Sequence, residues 1–206
     1  MKLKDFYKET VYNNDNFIKG WATLYYGVLS KVINENNYKL VAEVGIGYGT
    51  HAKEILKNTN LEQLYLIDPI QEYPNDGFSD DIMSTEPEIP GNNFNELCEL
   101  IKNELSPWED KYTLLRKPSL TVTYDEIPDE TLDCVFVDGA HDYYNVSRDL
   151  EFWWKKVRVG GQLLGDDYWM DDVARAVHEF ANRHNIQVDF LYRAGTNYKV
   201  FRMKKE

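Results

Sequence analysis

The stretch Lys39-Leu-Val-Ala-Glu-Val-Gly-Ile-Gly-Tyr-Gly-Thr50 constrains the fold more than any other part of the chain. An apolar, β-branched run leads into three glycines at alternate positions, the pattern of a buried strand followed by a sharp turn. Gly45, Gly47 and Gly49 carry no Cβ, so the backbone there can turn tightly and come close to a ligand. Thr50–Asn58 then has helical composition, with Ile55 and Leu56 on an inward face. Strand, glycine turn and helix in this order open a nucleotide-binding βα unit. The spacing is G-x-G-x-G, and an acid, Glu43, stands two residues before the first glycine. Tight βα turns without a ligand also use glycine, so the turn takes its meaning from the rest of the chain.

Beyond the turn, the chain alternates between strand and helix. Leu40–Val44 and Leu64–Ile67 read as the first two strands. The second ends at Asp68, about twenty residues past the glycines, where such folds place a carboxylate for the ribose hydroxyls. An Asp-Pro turn at Asp68-Pro69 is the plainer alternative. Phe94–Leu105 is helical, and Tyr112–Leu115 and Thr121–Thr123 are candidate strand pieces. Leu132–Val137 is a strongly apolar strand ending in Asp138-Gly-Ala-His141. Val146–Val157 is a helix that Gly160-Gly161 would close with positive φ. Gln162–Gly165 is the next strand and ends in Asp166-Asp167, and Asp172–His184 is a helix. Ile186–Tyr192 and Tyr198–Met203 form a hairpin about Gly195. The alternation means an α/β fold with a mostly parallel sheet, to which the hairpin adds an antiparallel edge. With no internal repeat or linker, residues 1–206 are expected to form a single domain. Within it, 1–38 is a helical cap, with a helix over Asn16–Asn34 that Asp15 would cap, and Phe17, Trp21 and Tyr25 on its apolar face. The Pro- and Gly-rich stretch 71–93 is an insert at the pocket mouth, either a lid or a plain loop.

A net charge of −12 argues against a nucleic-acid surface, which needs clustered Lys and Arg. Cys98 and Cys134 are the two cysteines, and Cys134 sits in an apolar strand as a small hydrophobe, so no disulfide framework is indicated. The first residues are charged and polar with no signal-peptide pattern, and no apolar run nears the ~18–20 residues that span a bilayer. The expectation is a soluble, cytoplasmic protein that acts on neither nucleic acid nor membrane. The aromatic residues near the N-terminus make a homodimer plausible.

In an open parallel sheet, ligands bind beyond the carboxyl ends of the strands. Here those ends carry the glycine turn, Asp68, Asp138 and Asp166-Asp167 on one rim. Carboxylates converging from neighbouring strands suit a hard divalent ion such as Mg²⁺; alternatively Asp166-Asp167 only caps the next helix. His141, three residues beyond Asp138, could take a proton from a hydroxyl or be a solvated loop residue. His51 would pack or touch a cofactor, while His178 and His184 read as helix-surface residues. Tyr143, Tyr144, Tyr168 and Trp169 could stack on a ring or belong to the core.

The segments Glu43-Val-Gly-Ile-Gly-Tyr-Gly, Phe136-Val-Asp-Gly-Ala-His-Asp-Tyr-Tyr and Gly160-Gly-Gln-Leu-Leu-Gly-Asp-Asp-Tyr, with Asp68, resemble class I S-adenosylmethionine-dependent methyltransferases. More narrowly they are similar to the macrocin-type sugar O-methyltransferases, over roughly Leu40 to Met203. The resemblance implies a Rossmann-like, doubly wound, seven-stranded fold. It also implies that Glu43, Gly45, Gly47, Tyr48 and Gly49 seat the methionine part of the cofactor, that Asp68 binds its ribose, and that Asp138 lies near the reacting centre. Asp138, Asp166 and Asp167 match the Mg²⁺ ligands of metal-dependent O-methyltransferases, and His141 matches the place of a general base. The segment Arg116-Lys-Pro-Ser119 lacks the acid many relatives use near adenine, which leaves Ser119 for that contact. The implied activity is methyl transfer to a hydroxyl of a small polyol, a sugar or glycan residue. A catechol acceptor or a catalytically silent cofactor-binding module are the alternatives, and the G-x-G-x-G turn argues against a nicotinamide-dependent oxidoreductase.

Overall fold

The structure is a computed structural model that describes residues 2–8, 26–71, 93–193, 195 and 197–206. Its centre is β1 (Leu40–Val44), flanked by β2 (Gln63–Ile67) and β4 (Leu132–Val137). With β3 (Tyr112–Leu115), β5 (Val157–Gly165), β6 (Val188–Tyr192) and β7 (Lys199–Lys204), the sheet order is β3-β2-β1-β4-β5-β7-β6. The first five strands run parallel, and β7 is antiparallel to both β5 and β6. The chain thus forms the expected Rossmann-like, doubly wound sheet of seven strands with an antiparallel C-terminal hairpin.

All six residues of β4 are buried, because a central parallel strand is covered on both faces. Its side chains alternate between two cores. Cys134 and Phe136 pack with residues of α2 (Val28–Asn36), α3 (Thr50–Asn58) and α4 (Phe94–Leu105). Val135 and Val137 pack with Leu150 and Trp153 of α5 (Tyr143–Lys156) and Phe180 of α6 (Asp171–His184). A short helix, α1 (Leu3–Phe6), joins the first core through Leu3. Among the described residues no helix is long and apolar enough to cross a membrane.

Several expected boundaries move for identifiable reasons. The helix read over Asn16–Asn34 cannot run unbroken, since Gly27 is left-handed (φ 83°) and α2 starts at Val28; Asp15, Phe17, Trp21 and Tyr25 lie outside the described residues. So does nearly all of the expected 71–93 insert, of which only residues 71 and 93 are described. Thr121–Thr123 is not a strand. Pro118 starts a 3₁₀ turn over Ser119–Thr121, and the Thr121 hydroxyl donates back to the Pro118 carbonyl at 2.7 Å. Gly160-Gly161 does not cap α5: the helix ends at Lys156 and Val157 is already extended. Gly160 does have positive φ (78°), but inside β5. There Leu132 pairs with Val157 and Cys134 with Gln162, so one residue of β4 lies opposite four of β5, an irregularity that glycine accommodates. Helix α5 begins early, at Tyr143, because the Asp142 carboxylate accepts the Asn145 N–H at 3.0 Å.

One buried network ties α5 to the turn after β3. The Trp153 indole N–H donates to Ser119 Oγ at 2.9 Å, and the Ser119 hydroxyl donates to Asp149 Oδ1. Burial pushes the Asp149 carboxyl up to about 6, against the pull of Ser119 and Arg148. In the fold it therefore keeps a proton at pH values where the unfolded chain, titrating near 4, has lost it. Stability attributable to this group falls as pH rises from about 4 to about 6 and stays lower above that. Asp149→Asn keeps an acceptor for Ser119 and removes the charge. Urea titrations should show the variant gaining about 1–3 kcal/mol over wild type at pH 7 and little at pH 4; a difference independent of pH contradicts the assignment.

Candidate active site

The sheet ladder continues one residue past the paired strands. The Gly45 N–H donates to Ile67 O (2.9 Å), Asp68 N–H to Leu115 O (3.3 Å), Asp138 N–H to Val44 O (2.8 Å) and Asp166 N–H to Val137 O (3.2 Å). Gly45, Asp68, Asp138 and Asp166 therefore stand level on one rim, as the sequence implied. Gly45 (φ 83°) brings the turn directly onto the end of β4: a Cβ there would lie 1.9 Å from the Asp138 carbonyl oxygen. At Gly47 (φ 50°) no described atom stands within 4 Å of the Cβ position. The Tyr48 carbonyl accepts the Tyr7 hydroxyl at 2.9 Å, so the N-terminal segment reaches the turn. Gly49, also left-handed (φ 74°), leads into α3.

Beneath the turn lies a buried ion pair. Glu43 is 1% exposed and its Oε1 is 2.7 Å from Nδ1 of His51, itself 2% exposed. Tyr26 stacks on the imidazole (centroids 5.0 Å apart) and Phe136 packs against it at an angle. Burial drives the His51 pKa down, but the Glu43 charge and hydrogen bond outweigh it and leave it above its ordinary value. His51 is thus the buried hydrogen-bond partner of Glu43. The second oxygen, Glu43 Oε2, is buried without a hydrogen-bond partner among the described residues, an acceptor suited to a cationic group held by the turn.

Asp68 has a structural task that its sequence position did not reveal. Its Oδ2 accepts the Ile46 N–H at 2.9 Å and its Oδ1 the Ile70 N–H at 2.7 Å, so it welds the glycine turn to the end of β2. Burial holds its carboxyl above the usual range, opposed by these N–H groups and by Arg116. The Gly47 N–H also bonds this carboxylate, so three of its four lone pairs are taken and one is left to meet a hydroxyl. Ser119 sits beyond β3, with its hydroxyl committed to Asp149.

The rim's other half is a charged cluster. Asp138, His141 and Asp167 each offer a ligand atom, all within 4.8 Å of one another. His141 Nε2 lies 2.9 Å from Asp167 Oδ2, and the Trp169 indole N–H donates to Asp167 Oδ1 at 3.0 Å. Asp166 is 5% exposed and accepts the Tyr198 hydroxyl at 2.7 Å. Burial, then the charges of Asp138 and Asp167, hold the Asp166 carboxyl well above the ordinary range, and burial with Asp166 raises the Tyr198 phenol in turn. The repulsion among these acids is what a cation relieves, and carboxylates with an imidazole form a donor set for a divalent ion. The predicted acids and the predicted base therefore converge, with His141, in place of Asp166, closing the tightest triplet. Tyr198 escaped the sequence reading. Its only signal is the pairing of β7 against β5, the strand that ends in Asp166.

Of four rim aromatics, two are structural. Tyr143 donates to Glu179 (2.5 Å), and Tyr168 packs on Phe190 and bonds His178. Tyr144 and Trp169 remain 64% and 47% exposed. On α6, His184 pairs with Glu151 on the surface.

A family model described as "Methyltransferase domain" matches residues 42–168, more than half of the chain. Among curated proteins none matches. The fold is similar to solved structures at low identity. A candidate caffeoyl-CoA O-methyltransferase from Staphylococcus aureus is 13% identical with a TM-score of 0.62, covering 98% of this chain and 97% of that one. A methyltransferase from Geobacter sulfurreducens is 13% identical (TM-score 0.59; 89% and 80% covered). A SAM-dependent O-methyltransferase from Thermotoga maritima is 13% identical (TM-score 0.55; 88% and 66% covered).

The buried pair beneath the turn makes a testable prediction. His51→Leu leaves the Glu43 carboxylate buried without its partner and should cost about 3–5 kcal/mol of stability. Adding Glu43→Gln to His51→Leu should recover most of that loss in denaturant titrations. Additive penalties in the double variant are the result that excludes the pairing.

Proposed function

This chain belongs to the methyltransferase-domain family, the S-adenosylmethionine-dependent methyltransferases, and from that we propose that it is a Mg²⁺-assisted O-methyltransferase acting on a small polyol, a sugar or glycan residue. The observation that carries the proposal is the Asp138–His141–Asp167 cluster lying directly beside the glycine turn.

S-adenosylmethionine supplies the methyl group from a sulfonium, and the displacement is in-line, so the protein's main task is positioning. In this reading Gly45, Gly47, Tyr48 and Gly49 shape the seat of its methionine part, and Glu43 Oε2 accepts from the ammonium. Asp68 takes the ribose hydroxyls, and Ser119 lies on the adenine side. Asp138 joins this seat to the cluster, since its backbone carries Gly45 and its side chain faces His141 and Asp167. Asp138, Asp166 and Asp167 would hold the Mg²⁺, whose contribution is to lower the pKa of an alcohol and orient it. His141 collects the hydroxyl proton, and Asp167 orients its ring through Nε2. The exposed Trp169 and Tyr144 offer ring faces to a sugar or, in a catechol-type acceptor, to an arene.

A second reading of His141 has a specific observation behind it: its ring nitrogen lies within 4.8 Å of the carboxylate oxygens, so it could ligate the cation itself. Against a silent cofactor-binding module stands the full set of Asp138, His141 and Asp167 beside the glycine turn, which such a module would not need.

A methyl-transfer screen over nucleotide sugars, free glycans and catechols, with and without Mg²⁺, tests the acceptor class. Calorimetry should show S-adenosylmethionine binding, and its absence ends the proposal. His141→Ala and Asp166→Ala should lower turnover by about 10²–10⁴-fold while cofactor affinity changes little. Full activity in either variant removes that residue's role. If His141→Ala instead abolishes Mn²⁺ binding, the histidine is a ligand and the base lies elsewhere.

A further inference from the structure

Asp167 is held in a way that the cluster alone does not explain. Its backbone is left-handed (φ 54°), a conformation a non-glycine residue adopts at a cost and that asparagine and aspartate tolerate better than most. The Met170 N–H donates to the Asp167 carbonyl at 2.8 Å and closes a tight turn. That turn folds the indole of Trp169 back onto Asp167. The carboxylate is then gripped at both oxygens, Oδ1 by the indole N–H at 3.0 Å and Oδ2 by His141 Nε2 at 2.9 Å. A carboxylate held at one oxygen swings about its Cβ–Cγ bond, whereas one held at both has its plane fixed.

The Trp169 ring is 47% exposed. Burial of apolar surface therefore accounts for only part of its placement, and the hydrogen bond to Asp167 accounts for where its N–H points. Indole nitrogen donates and does not accept, so this contact always presents a proton to Oδ1 and turns Oδ2 toward the cluster.

We propose that Trp169 is a positioning residue: its indole N–H sets the orientation of the Asp167 carboxylate and thereby the cluster's grip on a divalent cation. The proposal rests on the cation reading of the same cluster. Partners one step outside the ligands orient them and commonly account for 10–100-fold in metal affinity. Trp169→Phe keeps an aromatic ring of similar shape and deletes the donor.

The experiment uses the full chain with Mn²⁺ as sole ligand, its free concentration read by electron paramagnetic resonance, in wild type and Trp169→Phe. The variant should bind Mn²⁺ about 10-fold more weakly. A second measurement guards against a variant that fails to fold. In wild type, the Trp169 indole N–H resonance in a ¹H–¹⁵N correlation spectrum should shift when Mg²⁺ is added. A tryptophan with a merely structural role would leave that resonance in place. Equal Mn²⁺ affinity in the two proteins, or an unmoved indole resonance while Mg²⁺ binds, overturns the role of Trp169 and leaves the cation reading standing. A wild-type chain that binds neither Mn²⁺ nor Mg²⁺ overturns the cation reading and this proposal with it.

Discussion

No side chain fits at Gly45, and the rest of the site depends on that fact. A Cβ there would stand 1.9 Å from the carbonyl oxygen of Asp138. Because none exists, the turn after β1 lies against the end of β4, and the turn proposed as the cofactor's seat touches the strand that leads into the charged cluster. The ladder bonds from Gly45 to Ile67 and from Asp138 to Val44 lock this juxtaposition on both sides of β1. Group transfer between two bound molecules is mainly a matter of placing them, and here backbone contacts fix the glycine turn against the cluster.

The second constraint is the cost of burying charge at those strand ends. The fold meets it differently at each place. Glu43 takes a histidine, Asp68 takes backbone N–H groups, and Asp166 takes a tyrosine hydroxyl. Asp149, with a serine hydroxyl for support, is pushed up to about 6 by burial. Asp167 is shared between Trp169 and His141. These partners come from α3, the glycine turn, the loops after β2, β3, β4 and β5, and the residue just before β7, so the rim is a tertiary product and not the property of one motif.

This division explains what could be read from the sequence. Strands β1, β2 and β4 were legible because each is an apolar run ending at a glycine or an acid, and β4 is the clearest case. The rim acids were legible because strand ends in an α/β sheet share one edge. Boundaries set by a single local interaction were not. The Asp142 cap moves the start of α5, and the extension of Val157 moves its end. The Pro118–Thr121 turn stands where a strand piece over Thr121–Thr123 was expected. Partners distant in sequence were hidden for the same reason. Nothing near Asp166 in the chain announces Tyr198, and in the sequence Asp149 is one more acid on a helix. His51 was the near miss, since it follows the glycine turn closely, yet its pairing with Glu43 emerges only when the turn doubles back.

The most direct measurement is anomalous diffraction from a crystal grown with Mn²⁺ and S-adenosylhomocysteine. The account predicts an anomalous peak bound by Asp138 and Asp167, with the homocysteine portion seated over Gly45–Gly49 and the ribose on Asp68. A cofactor bound away from the glycine turn, or a cluster without a metal peak at saturating Mn²⁺, would contradict it.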